Sequence, residues 1–271
     1  FLYIITTMNE TLTLLMKRRT VRAYQDRPIS DADKLAIQQA TLRAPTGGNM
    51  APYAIIDVQD PRKKAKLADL CDHQPMIAKA PMVWVYVLDW QKWYDWFRLD
   101  HCDEKSGIPM HTPSLGDLDI SLQDALIAAQ TSVIAAESLG IGSCYIGDII
   151  ENGEEVQKLL DLPRFTMPAC MLIFGYKPVH DHELPLEERC PVKDMFMTDS
   201  YHHRPLEEIQ KAYHEQEAKG RSVGRLPYEG KGSLADYYFR RKYTSLFMKE
   251  MTRSMQYWLR RWCDGDAHVQ K

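Results

Sequence analysis

The chain has 271 residues, 45% hydrophobic and 26% charged, an ordinary globular composition with ample material for a core. A formal net charge of −3 gives no electrostatic reason to expect nucleic acid or an acidic membrane as the main partner. No run approaches the roughly 20 apolar residues of a membrane helix. The six cysteines are widely spread, with no Cys-x-x-Cys pair, which fits a reducing compartment better than a disulfide scaffold or a zinc site. The expected location is therefore the cytoplasm.

Phe1-Leu2-Tyr3-Ile4-Ile5 is short and lacks a basic flank, so it makes a poor signal peptide. Met8-Asn9-Glu10 reads as a natural start, which would make the first seven residues readthrough or an appended remnant. Residues 10–17 then read as a short helix running into Arg18, Arg19, Thr20, Val21 and Arg22. Three guanidinium groups and a hydroxyl within five positions form a dense set of donors for a small anion. The bland alternative is a solvated arginine face.

Ser30 or Asp31 caps a second helix over 31–43, which Pro45 ends. The stretch Ala44-Pro45-Thr46-Gly47-Gly48-Asn49-Met50-Ala51-Pro52 follows it. Two glycines between prolines let backbone approach a flat ligand, and Thr46 and Asn49 bring short polar side chains to it. Tyr53 to Val58 reads as a strand buried on both faces, and Lys63 to Cys71 as a short amphipathic helix. Gln74 to Ala80 leads into Met82 to Leu88, the strongest strand signal in the chain.

Trp90, Trp93, Tyr94, Trp96 and Phe97 put five aromatics into eight positions. They read first as core or subunit interface, and second as a lid selecting flat substrates. His101, Cys102, Asp103 and His111 follow without a metal-ligand spacing. Ser121 to Leu139 is a long helix, alanine-rich on one side, suited to a dimer centre or to a buried place in a monomer. Gly140 and Gly142 end it, and Ser143 to Gly147 reads as a short strand or turn in which Cys144 is a packed thiol.

Glu154 to Leu160 is a further helix, Pro168 to Tyr176 a second strong strand, and Met195 to Tyr201 a last short one. Beyond Pro205 the character changes. Residues 205–219 form a charged helix, 220–232 a basic linker, and 233–263 one long helix. That last helix has an apolar row at Tyr243, Phe247, Met251, Met255, Trp258 and Trp262 beside many basic residues. Such a helix packs on its own core or a sister subunit, or lies on a membrane or RNA.

No segment offers a Ser/His/Asp set, a glycosidase carboxylate pair, a Walker loop or a Gly-x-Gly-x-x-Gly after a strand. Gly140-Ile141-Gly142 ends a helix instead of opening one, which disfavours a Rossmann site. Chemistry not borne by the protein is what a bound redox cofactor supplies.

Taken in order, four blocks resemble the flavin-dependent nitroreductase family: residues 18–22, residues 44–52, Gln74 with Ile77, Ala78, Ala80 and Pro81, and Leu139 to Gly147. The resemblance covers roughly residues 10–204. It implies an α+β fold, a three-layer α/β/α sandwich with a mixed central sheet, in a homodimer. It divides the chain into a flavin domain, residues 8–204, and a helical extension, residues 205–271, packed on the core or the partner subunit.

By the same resemblance the cofactor is FMN, with NADPH or NADH as donor. A ping-pong cycle would pass electrons to a flat acceptor such as a nitroaromatic or quinone. Arg18, Arg19 and Thr20 would hold the phosphate and ribityl end, with Arg189 assisting. The family's lysine two positions before Arg189 is here Glu187, a departure that weakens any paired clamp. Arg22 would reach the pyrimidine edge of the ring and raise its potential. Pro45, Thr46, Gly47 and Asn49, from the facing subunit, would line the ribityl chain and ring. Gln74, Tyr145, Ile146 and Gly147 would complete the contacts. A non-catalytic flavin store or sensor, or a reductive dehalogenase, are the alternatives within the family. The resemblance leaves open the acceptor, the choice of nicotinamide and the role of residues 205–271. A scaffold binding through its basic tail is the alternative outside the family.

Overall fold

The structure, a computed structural model, describes residues 9–179, 186, 189–222 and 233–264. The first seven residues, Glu187 and residues 223–232 of the expected linker lie outside the described residues. The chain divides into two compact units, residues 1–181 with 250–271, and residues 182–249. This division differs from the expected boundary after residue 204.

The first unit is built on a four-stranded sheet in the order β1-β2-β4-β3: β1 (Tyr53–Asp57), β2 (Met82–Asp89), β3 (Ile141–Ile146) and β4 (Thr166–Tyr176). Every neighbouring pair is antiparallel, and one isolated parallel bridge, Thr20 to Ser143, extends the sheet at the β3 edge. The expected mixed character thus reduces, among the described residues, to that bridge.

Side-chain alternation on the two central strands makes the three layers. Met82, Trp84 and Tyr86 of β2, with Cys170, Leu172 and Phe174 of β4, face one way. They pack on α2 (Asp31–Thr41) and on α7 (Leu115–Ser138) through Ala125, Ala128, Ala129 and Val133. Val83, Val85 and Val87, with Met171 and Ile173, face the other way. There they meet α3 (Pro61–Leu70), α4 (Pro75–Lys79), α8 (Gly153–Leu159) and the end of α12 (Leu246–Asp264). Tyr86 satisfies its buried hydroxyl against Ser132 Oγ at 2.6 Å, which ties the sheet to α7.

Four elements differ from the sequence expectation. β1 is an edge strand and mostly half-buried, with no partner strand on its outer side among the described residues. Its Asp57 instead gathers Lys34, Gln59 and the Trp84 indole. α7 begins six residues early, at Leu115, where Ser114 and Asp117 form a reciprocal capping box. The aromatic stretch 90–97 is mostly helical, in α5 (Gln91–Leu99), followed by the short α6 (Cys102–Ser106). Met195 to Tyr201 is not a strand. A helical turn, α9 (Val192–Met195), stands there and irregular chain follows.

In the second unit α10 (Leu206–Ser222) and α11 (Leu234–Tyr238) join through the Leu234 N–H, which donates to Glu217 at 2.8 Å. Arg204 pairs with Asp194 at 2.8 Å. The expected helix over 233–263 is broken by a π-turn at Phe239–Tyr243 before α12 starts. The break is local: Phe239 stacks on Tyr243, and the Thr244 and Ser245 hydroxyls donate to the carbonyls of Phe239 and Lys242. Among the described residues no helix is long and apolar enough to cross a membrane.

Candidate functional site

The arginine block is seated on glycine. α1 (Glu10–Lys17), capped by Asn9, ends at Arg18, and the chain then runs onto the edge of β3. The Val21 N–H donates to the Ser143 carbonyl at 3.0 Å, and the Gln25 N–H donates to the Tyr176 carbonyl at 3.0 Å. Between these ties Val21 lies on Gly142 and Tyr24 on Gly175. A Cβ on Gly142 would stand 2.7 Å from Val21, and one on Gly175 would stand 2.5 Å from the Tyr24 ring. The two glycines are cross-strand partners, so one smooth patch of sheet accepts both side chains.

This seating brings Arg18 and Arg22 to Cys144 and Tyr145. Burial holds the Cys144 thiol above its ordinary range, and the Arg22 guanidinium beside it pulls the other way. The Tyr145 hydroxyl is likewise raised by burial, with Arg18 among the opposing charges, and it donates to Gln130 at 3.3 Å. Arg18 and Arg19 are half-buried, whereas Thr20 and Arg22 are exposed. Neither Arg18 nor Arg22 is ion-paired to a described carboxylate. Two guanidinium groups without a described carboxylate partner, beside the Tyr145 phenol, suit the phosphate and polar rim of a flavin mononucleotide.

A second corner adjoins this cluster. β3 ends in a 3₁₀ turn, Gly147–Ile150, and a Cβ on Gly147 would meet nothing within 4 Å, so that face is open. Ile146, in contrast, turns its side chain into the core, leaving only its backbone toward the open side. The Asn152 amide donates to the Leu70 carbonyl at 2.8 Å, which draws the 70–74 corner up to this turn. Gln74 stands there, half-buried, after the left-handed residues Asp72 and His73, and its side chain makes no hydrogen bond with a described residue. Glu151 is buried, and its desolvation, together with Asp148, Asp72 and Glu250, pushes its carboxyl up to about 7.

The loop 44–52 lies elsewhere. It packs on the α2–α7 side, through Ala44 and Ala51, whereas Tyr24 and Cys144 belong to the opposite face of the sheet. Within one chain the two blocks therefore do not share a pocket. Asp124, buried on the alanine face of α7, accepts from the Thr46 hydroxyl and from the Gly47 N–H at 3.1 Å. Thr46 Oγ1 in turn accepts from the Ala51 N–H at 2.8 Å. The Thr46 hydroxyl is thus occupied in shaping the loop, and Pro45, Gly47 and Asn49 are the parts left exposed. Asp124 was absent from the sequence reading. An acid among Ala125, Ala128 and Ala129 was the available signal.

The aromatic run divides its labour. Trp90 and Tyr94 pack against the core, the Trp93 indole donates to the Met50 carbonyl at 3.0 Å, and Trp96 is exposed. Trp90, Tyr94, Phe97, Met110 and Pro113 line a cleft of about 350 Å³, which none of the expected flavin residues borders. Arg189 is exposed and belongs to the second unit. The basic face of the tail is partly spent internally, while Arg241, Lys242, Lys249 and Arg260 stay exposed. Arg240 pairs with Asp236, Arg253 pairs with Glu154 and Glu250, and Arg261 is buried.

A three-layer α+β sandwich with an open cationic site at one sheet edge is the class that the geometry defines. Residues 15–176 match the sequence profile described as the nitroreductase family. The chain is 30% identical over 240 residues to an FMN reductase [NAD(P)H] of Bacillus subtilis, covering 87% of this chain and 94% of that one. It is 30% identical over 214 residues to an oxygen-insensitive NADPH nitroreductase of Salmonella typhimurium, covering 78% and 82%. The solved structure of B. megaterium NfrA2 superposes with a TM-score of 0.74 at 27% identity, over 91% of this chain and 98% of that one. The chain belongs to the nitroreductase family.

Proposed function

We propose that the protein is an FMN-dependent oxidoreductase that takes electrons from NADPH or NADH and passes them to a flat acceptor, a nitroaromatic or a quinone, in a ping-pong cycle. The observation that carries this reading is the seating of residues 18–22 against Ser143 to Tyr145, with Arg18 and Arg22 free of described carboxylates. FMN, when bound, would supply the two-electron chemistry.

The chain's own residues bind and orient it. Arg18, Arg19 and Thr20 hold the phosphate end. Arg22 sets a positive charge at the polar rim of the ring. Gly147 offers a side without a Cβ, Ile146 and Gly147 offer backbone, and Gln74 offers an unused amide at the neighbouring corner. Pro45, Gly47 and Asn49 reach the flavin of a second copy, since their loop is on the other face of the sheet from the arginine block. This arrangement makes the homodimer the working unit. Thr46 contributes by fixing the loop.

The test is the visible spectrum of the purified protein, before and after anaerobic NADPH and then NADH. Flavin bands that bleach are expected, and the faster donor names the nicotinamide. A yellow protein that neither nicotinamide bleaches would favour storage or sensing. A protein that stays colourless after incubation with FMN and desalting would overturn the flavin reading.

A further inference from the structure

Resting on that reading, we propose that Ser254 and Trp258 of α12 are positioning residues for the flavin, acting through the turn that carries Gly147. Both donate to one acceptor. The Ser254 hydroxyl and the Trp258 indole, the latter at 3.1 Å, converge on the carbonyl of Ile150, the last residue of the 3₁₀ turn. Two more links tie the same few residues to the helix. The Gly153 N–H donates to Ser254 Oγ at 2.9 Å, and the Asn152 N–H donates to Glu250 at 3.1 Å.

The fit is close enough that a Cβ on Gly153 would lie 2.7 to 2.8 Å from Tyr257, Ser254 and Trp258. Ile149 and Ile150 are buried, so the Ile150 carbonyl has no water to fall back on and both lone pairs are filled by α12. Three residues back along that pinned turn stands Gly147, whose outer side is open. The helix therefore fixes where the turn's backbone meets the ring, although neither side chain touches the cofactor.

The same helix provides its own control. Trp262, as buried as Trp258, donates its indole N–H to the Ser114 carbonyl at 3.1 Å, at the start of α7 and away from the turn. Trp258→Phe and Trp262→Phe thus remove the same bond type from the same helix with similar loss of volume. FMN affinity is read from quenching of flavin fluorescence on binding to the apoprotein, and thermal stability in parallel. The expected result is a similar drop in melting temperature for both variants. The FMN Kd should rise about tenfold in Trp258→Phe, the effect of one lost hydrogen bond of about 1.4 kcal/mol, and stay within about twofold in Trp262→Phe.

Ser254→Ala, the mildest change, should move Kd the same way as Trp258→Phe. Equal shifts in both tryptophan variants, or an unchanged Kd in Trp258→Phe and Ser254→Ala, would overturn the positioning role while leaving the flavin reading intact. Failure of the unmodified protein to bind FMN overturns both.

Discussion

Arg22 and Gly142 show how two residues of opposite chemistry would serve the proposed flavin site. Arg22 brings charge; Gly142 brings the absence of a side chain that lets Val21, and with it the arginine block, lie down on β3. Arg22→Ala should lower the flavin potential by on the order of 30 mV, equivalent to a tenfold change for a two-electron couple, and slow turnover. Dye-equilibration potentiometry on fully loaded protein checks this, and an unchanged potential would remove Arg22 from the ring. Gly142→Ala should act differently. The added methyl must displace buried Val21, at a cost of about 1–3 kcal/mol for overpacking. Denaturant titration should show that loss together with weakened FMN binding. The arginine block was legible because charge density is written in one stretch of sequence. Its seat was not, because the Gly142–Gly175 pair joins positions that only sheet register brings together.

At the scale of elements, strong patterns were legible and broken ones were not. β2 and β4 announce themselves by unbroken apolar runs, and the structure puts both in the centre of the sheet. β1 has a similar composition but an edge position, which composition does not encode. The tail's apolar row continues across residues 239–245, so nothing in its periodicity marked the π-turn there. The loop 44–52 was recognisable from its glycines and prolines, yet its anchor on α7 is distant in sequence. Asp124→Ala should leave the Thr46 hydroxyl and the Gly47 N–H without their acceptor. The expected loss is about 1–3 kcal/mol of stability, with flavin affinity falling as the loop loosens. Asp124→Asn, which keeps a carbonyl oxygen in place, should lose less. Chemical denaturation and FMN titration of the pair would show whether the carboxylate or merely its shape holds the loop.

For the whole molecule, acidity enters through Glu151. Its carboxyl titrates near 7 in the folded protein and in the ordinary carboxylate range when unfolded. Between those values the folded state holds the extra proton, so this group makes stability fall as pH rises toward 7, after which the penalty is constant. Glu151→Gln should flatten that slope, raising the melting temperature at pH 8 while leaving it nearly unchanged near pH 4. Identical melting temperatures of the two proteins at pH 8 would show that the carboxylate is not held at a cost.

Time enters through α12. Trp258 and Trp262 fill the same apolar layer as Val83, Val85 and Ile173, yet they are made more than eighty residues after the last of these strands ends at Tyr176. A chain growing from its N-terminus can pair its sheet and cover one face while the other still lacks two of its largest side chains. Trp-to-Ala losses in cores run at about 3–5 kcal/mol each, a large part of the margin by which most domains stay folded. The protein therefore has an interval, between synthesis of β4 and arrival of α12, in which an apolar face is only partly covered, by α3, α4 and α8, and the rest is open to chaperones and proteases. Chains stopped at residue 249 should persist in that condition and be cleared rapidly, which pulse proteolysis of stalled and released products would register. Until α12 arrives, that layer of the core lacks Trp258 and Trp262, two of its largest buried side chains.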